Sequence, residues 1–244
     1  MPSRHIQAVV FDLDDTLYRE RDYVRSGLMA VGEVLRQRTG RRADFAGWMW
    51  RQFRAGRRTR IFDAAGARFG LALSRRDIAD LVAVYRTHRP AIRPCRNVAA
   101  LLRRLGRRFK LGLLSDGFLP AQQLKLDGLD LGLFFDAIVF TEQIARSAWK
   151  PSPRGFDAMR KRLGVPHAAC CYVADNPAKD FVAPNALGWL TVCWRRSGQV
   201  HAGSPAPSGG APKMVIRSGP ELIRRLRIVR RTARREGDGC AGFR

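Results

Sequence analysis

Three carboxylates within four positions, Asp12, Asp14 and Asp15, stop a short run rich in β-branched residues, Ile6-Gln7-Ala8-Val9-Val10-Phe11. Two carboxylates crowded together repel unless a cation or a shared proton relieves them. Side chains alternate along a strand, so Asp12 and Asp14 are expected on one side of its end and Asp15 away from them. The lesser alternative for this stretch alone is an acidic cluster that caps the following turn. It does not stand alone, because Ser115-Asp116-Gly117 closes a second apolar run, Lys150-Pro151 lies further on, and Asp175-Asn176 with Asp180 closes another run. Several carboxylates brought to one point call for a hard cation with oxygen ligands. Mg²⁺ suits a site of few carboxylates, water and substrate phosphate. A hydroxyl and a lysine beside them would hold the remaining phosphate oxygens.

These residues converge only if the runs before them are parallel strands, whose carboxyl ends share one edge. The pattern supports this. Strands are expected at the first run, at Lys110–Ser115, Ala137–Thr141, Cys170–Ala174 and Trp189–Trp194, with a short one near Met214–Ile216. Helices are expected between them at Asn97–Leu105, Leu119–Leu126, from Ser152-Pro153 (Ser as N-cap, Pro at the first helical position) to about Leu163 before Gly164, and at Ala178–Leu187. Strand–helix alternation implies an α/β fold with a Rossmann-like parallel sheet. Between Tyr18 and His88 the spacing is helical instead, with further helices at Phe45–Phe53, Arg60–Phe69 and Arg75–Tyr85. This marks a small all-helical domain inserted after the first strand. The division is therefore 1–17 and 91–231 as the core, 18–90 as the helical insert and 232–244 as a disordered tail. Trp48, Trp50 and Phe53 are read as helix-packing residues, with a pocket lining as the alternative. Residues 197–213, rich in Gly, Ser and Pro, are read as a flexible loop, and a basic helix is expected at 220–231.

At 244 residues and 45% hydrophobic, the chain is long and apolar enough to fold around a sizeable core. Its net charge of +24 comes mostly from 39 arginines spread along the whole length. Such a charge attracts anions and steers acidic small substrates. Nucleic acid is the less favoured partner, because no RNA- or DNA-binding motif accompanies the charge. Five cysteines form no CxxC pair, which fits reduced thiols in a cytoplasmic protein. The first strand begins too soon to leave room for a signal peptide. No apolar run reaches the ~18 residues of a membrane span.

Taken in order, Asp-Leu-Asp-Asp-Thr at 12–16, Leu-Leu-Ser-Asp-Gly at 113–117, Lys150-Pro151 and Val-Ala-Asp-Asn-Pro-Ala-Lys-Asp at 173–180 resemble the motifs of the haloacid dehalogenase (HAD) superfamily of hydrolases. The resemblance runs from residue 6 to about 194. It implies that the helical insert is a cap and that Asp12 is a nucleophile forming an aspartyl-phosphate. Asp14 would act as general acid and then base. Asp12, the Asp14 main-chain carbonyl and Asp175 would bind Mg²⁺, and Ser115, Asp116 and Lys150 would hold the phosphoryl group. Asp180 and Asn176 would support them, while Asp15 and Thr16 would shape the turn. Asp116 stands where many relatives have Asn, and Ala174 where Gly is common.

Within that family, dehalogenases lack the second aspartate, so Asp14 favours phosphate esters. Phosphonate-cleaving relatives need a cap lysine, and no lysine occurs between Leu17 and Phe109. The expectation is a Mg²⁺-dependent phosphatase for a small phosphorylated metabolite, with Arg51, Arg54, Arg57 and Arg58 as candidates to meet an anionic substrate. The alternative is a catalytically weak protein of the same fold that binds a polyanion or a protein partner through its basic surface.

Overall fold

The structure, a computed structural model, describes residues 5–226. The expected tail 232–244, Cys240 and the end of the helix read at 220–231 lie outside the described residues. The chain divides into two compact units, one formed by Met1–Glu20, Arg93–Gly117 and Leu129–Arg244, the other by Arg21–Ile92 and Phe118–Gly128.

The first unit is an α/β fold built on a six-stranded sheet. Its strands are β1 (Ala8–Phe11), β2 (Lys110–Ser115), β3 (Ala137–Phe140), β4 (Cys170–Ala174), β5 (Leu190–Trp194) and β6 (Met214–Ile216), in the order β3-β2-β1-β4-β5-β6. Every pairing is parallel, with Val10 opposite Gly112 on one side and Tyr172 on the other. This is the doubly wound order, in which connections leave the middle of the sheet in opposite directions and open a crevice at the carboxyl ends. β1 is buried along its whole length, as its continuous apolar character requires.

One face of the sheet packs Val10, Leu114, Val139, Tyr172 and Cys193 against Phe156, Met159 and Leu163 of helix α7 (Arg154–Leu163). A Cβ on Gly112 would sit 2.6 Å from the Met159 sulfur, so glycine is what lets this helix lie close to β2. The Phe156 ring meets Tyr172 and Trp189 edge-on at 4.9 and 5.4 Å. α7 ends at Gly164, left-handed at φ 63, as its position predicts. Its start differs from expectation. Pro153 occupies the N-cap position, and the Ser152 hydroxyl only reaches the Arg154 amide at 3.4 Å. The helix expected at 178–187 is shortened to Val182–Ala186, because side chains compete for the preceding amides. Asn176 Oδ1 accepts from Ala178 N, and Asp180 Oδ2 accepts from Asn176 N. Residues 197–213 are tied down rather than loose. Asn185 Nδ2 donates to the Gly209 and Ala211 carbonyls, and Gln199 and Val200 bond to Asp15.

In the second unit, helices Glu20–Thr39, Phe45–Arg54, Ile61–Phe69 and Arg75–Thr87 enclose Leu28, Val31, Leu35, Phe45, Met49, Phe62 and Leu81. Residues 118–128, counted with the core from sequence, cluster here. Trp48, Trp50 and Phe53 pack around the apolar centre. Arg51 pairs with Asp44 at 3.1 Å and Arg58 lies over the Phe53 ring, while Arg54 and Arg57 are exposed. No described helix is long and apolar enough to cross a membrane.

The aromatic layer over β4 sets a stability prediction. Phe156→Ala is expected to lower the unfolding free energy by about 3–5 kcal/mol, and Phe156→Leu by clearly less, as read from urea melts.

Candidate active site

The Phe11–Val173 register and the bond from Asp12 N to Val173 O (2.9 Å) carry Asp12 and Asp175 to adjacent strand ends. Lys150 reaches the same point. Its ammonium group lies 2.5 Å from Asp12 Oδ1 and 2.8 Å from Asp180 Oδ1, and donates to Tyr172 Oη at 2.9 Å. Asp12 Oδ1 and Tyr172 Oη accept hydrogen bonds from it, and Asp180 faces it as an ion-pair partner. Asp180, fully buried, spends its other oxygen on the Asn176 amide, so the turn after β4 fixes the lysine's counter-charge.

Asp116 sits at the end of β2 beside buried Ser115. Its Oδ1 accepts from Thr141 Oγ1 at 2.8 Å, its Oδ2 from the Lys150 amide at 3.1 Å, and Lys179 Nζ lies 3.6 Å from Oδ2. A carboxylate engaged in this way repels a phosphate rather than binding it. In the structure the Asp116 carboxylate fixes the Lys150 backbone. Asp14 is half-buried, and Tyr18 Oη donates to its Oδ1. Asp15, at φ 52, turns the other way: Oδ1 accepts from Glu20 N and Oδ2 from Val200 N. Thr16 Oγ1 donates to Asp175 Oδ1 at 3.5 Å.

Tyr172, Thr141, Tyr18 and Lys179 are members of this cluster that the sequence reading did not single out. Tyr172 was hidden in an apolar strand. The one available signal was its inward register with Val10, which aims a hydroxyl into the sheet interior. Thr141 ends a strand next to the one bearing Asp116, a placement visible only once the strand order is known.

Burial drives the electrostatics. It pushes Asp12 up to about 7 against the pull of Lys150 and with the push of Asp180. Burial first, then the Asp12 and Asp180 charges, push Asp175 up to about 9. Burial opposes the charge on Lys150, but Asp12 and Asp180 outweigh it and hold the ammonium protonated. Asp175 Oδ2 is buried with no hydrogen-bond partner among the described residues. A carboxylate oxygen so placed is suited to coordinate a cation. The donors at hand are all oxygens, which fits Mg²⁺ better than a thiophilic metal. Among the described residues no three His, Cys, Asp or Glu side chains group as a complete metal site. Two carboxylates and a main-chain oxygen therefore suit an ion that keeps several waters.

Known proteins resemble this chain over most of its length. The haloacid dehalogenase-like hydrolase family profile matches residues 6–188. The glyceraldehyde 3-phosphate phosphatase of Methanopyrus kandleri is 30% identical over 242 residues, covering 94% of this chain and 99% of the relative. The enzyme of the same name from Methanocaldococcus jannaschii is 27% identical, covering 77% and 84%. Among solved structures, the HAD-hydrolase YfnB of Bacillus subtilis, bound to magnesium, superposes with a TM-score of 0.66 at 19% identity, covering 91% of this chain and 99% of that one. That likeness speaks for the fold. With the profile spanning all four strand-end motifs, this protein belongs to the haloacid dehalogenase-like hydrolases.

Proposed function

We propose that this enzyme, a hydrolase of phosphatase type, cleaves the phosphate monoester of a small metabolite through an aspartyl-phosphate on Asp12, with Mg²⁺ as cofactor. The observation that carries this reading is the buried cluster of Asp12, Asp175 and Asp180 around a charged Lys150, with one Asp175 oxygen unpartnered. A protein that merely binds polyanions through its surface arginines has no use for a carboxylate cluster whose burial is so costly.

Lys150 holds Asp12 Oδ1, which leaves Oδ2 to attack phosphorus. As that bond forms and the ester P–O bond breaks, Asp14 gives its proton to the departing alkoxide. Partial exposure and the Tyr18 bond keep Asp14 reachable by water and oriented. In the second half, Asp14 takes a proton from water, the water oxygen bonds to phosphorus and Asp12 departs as carboxylate. Ser115 and Lys150 would hold the phosphoryl oxygens. Asp12, the Asp14 carbonyl and Asp175 would hold the cation, which when bound neutralises charge on the transferring group. Asp116, Asn176 and Asp180 act through the positions of Lys150 and the turn after β4.

Two relatives named as glyceraldehyde 3-phosphate phosphatases favour triose and other sugar phosphates as the first substrates to assay. Nucleoside monophosphates and phosphoglycolate-like acids follow. The decisive experiment is phosphate release from such a panel and from an aryl phosphate, with Mg²⁺ and with EDTA. Turnover is expected to vanish in EDTA and return with Mg²⁺, and Asp12→Asn is expected to lose roughly 10⁴-fold or more in kcat. Metal-independent turnover, or full activity in Asp12→Asn, overturns the reading. Tyr172→Phe removes one acceptor from the buried ammonium group. It is expected to lower the unfolding free energy by about 1–3 kcal/mol in a urea melt while retaining measurable turnover.

A further inference from the structure

The turn after β5 makes an unusual number of polar contacts with the loop that carries Asp14. Arg196 Nη1 donates to the Thr16 carbonyl at 2.5 Å, and its guanidinium lies 3.6 Å from the Trp194 ring centroid. Gln199 Nε2 donates to the Asp15 carbonyl at 3.0 Å and to the Trp194 carbonyl at 2.8 Å. Val200 N donates to Asp15 Oδ2 at 2.6 Å. Gly198, at φ 79, takes the left-handed conformation that lets Gln199 fold back, and Gln199 Oε1 then accepts from Arg196 N at 2.8 Å. His201 Nε2 extends the same seam, 3.8 Å from Glu20 Oε2.

These bonds fall on a backbone that has reason to relax. Asp15 sits at φ 52, a region uncommon for residues with a side chain although Asp enters it more readily than most. Both carbonyls that follow Asp14, those of Asp15 and Thr16, are taken by side chains of this one turn. Thr16 in turn touches Asp175. The turn thus fixes the main chain next to the Asp14 carbonyl and, through Thr16, one of the carboxylates beside it.

We propose that Arg196 and Gln199 are positioning residues that hold the Asp14 carbonyl and Asp175 in register for the divalent cation, an inference that rests on the metal-dependent reading above. Neither residue touches substrate or cation. They act by denying the 14–16 backbone its alternatives, as outer partners of metal ligands do elsewhere.

The test is calorimetric titration of Mg²⁺ into wild type, Arg196→Met, Arg196→Lys and Gln199→Leu, with melting curves recorded without Mg²⁺. Arg196→Met and Gln199→Leu are expected to weaken Mg²⁺ binding about 10-fold or more while melting within a few degrees of wild type. Arg196→Lys, which keeps a donor for the Thr16 carbonyl, is expected to recover part of the affinity. In turnover assays the Mg²⁺ concentration for half activity should rise while KM for the phosphate ester stays within about twofold, since uniform substrate binding is untouched. Wild-type Mg²⁺ affinity in both Arg196→Met and Gln199→Leu overturns the proposal and leaves the phosphatase reading standing. Collapse of the fold in those two variants, with Arg196→Lys binding Mg²⁺ like wild type, makes the turn a purely structural element and also overturns it. Failure of wild type itself to bind Mg²⁺ removes the metal-dependent reading and this inference with it.

Discussion

A buried ammonium group shared between two carboxylates is the constraint on which the centre of this protein depends. Lys150 pairs with Asp12 and Asp180 where neither it nor Asp180 has any solvent exposure. Desolvating three charges is expensive, and removing any one partner leaves an uncompensated charge inside the protein. The arrangement is tolerable because each group has further bonds. Tyr172 Oη accepts a further hydrogen bond from the ammonium group, the Asn176 amide donates to the second Asp180 oxygen, and Asp116 pins the lysine's own backbone. Those bonds come from β1, β2, β4 and the segments that follow them, so the sheet order is a condition of the charge network and not just a scaffold beneath it. Were β1 not between β2 and β4, Asp12 could not meet both the segment after β3 and the turn after β4.

Much of this was legible in the sequence, and what was not has a physical cause. Continuous apolar runs marked β1, β2 and β4 because strands buried on both faces leave no room for alternation. These runs ended in Asp12, Ser115 and Asp175, and Lys150 followed a further strand, so all four could be named before any geometry was known. For Asp116, residue type alone does not tell whether the carboxylate faces a ligand or a hydroxyl. Its partner Thr141 is 25 positions away on a neighbouring strand. The 178–181 stretch was overextended as helix because local side-chain bonds from Asn176 and Asp180 prevail over a weak helical pattern. The 197–213 segment has the composition of a loose loop, yet its polar residues bond to a loop about 180 positions earlier in the chain. Long-range hydrogen bonds of this kind leave no periodicity to read.

The charge balance explains why a phosphate-handling site can be lined with acids. Around the end of β1 the carboxylates of Asp12, Asp116, Asp175 and Asp180 outnumber the ammonium groups of Lys150 and Lys179 that pair with them, while the whole chain carries +24. The surface excess favours approach of an anionic ester from solvent, within a screening length of about 8 Å at physiological salt. At contact the local sign is wrong: burial first, and then the Asp12 and Asp180 charges, push Asp175 up to about 9. A divalent cation at Asp12 and Asp175 would reverse that sign where the ester's charge must settle.

Under the proposed chemistry, the lysine network also determines where charge goes once the reaction starts. Phosphorylation of Asp12 makes its carboxyl group a neutral acyl phosphate linkage, the charge it gives up ending on Asp14 once that residue has protonated the leaving alkoxide, while the phosphoryl group keeps its own charge a bond away. Lys150 then loses its strongest reason to hold Asp12 Oδ1 but keeps Asp180, which is fully buried and anchored by a main-chain amide. The ammonium group can therefore turn one N–H to a phosphoryl oxygen without leaving its counter-ion, a small displacement that needs no new desolvation. An equally buried lysine with Asp12 as its single partner would be stranded at the same moment. On this argument Asp180 is what allows one lysine to stabilise both the free nucleophile and its phosphorylated form.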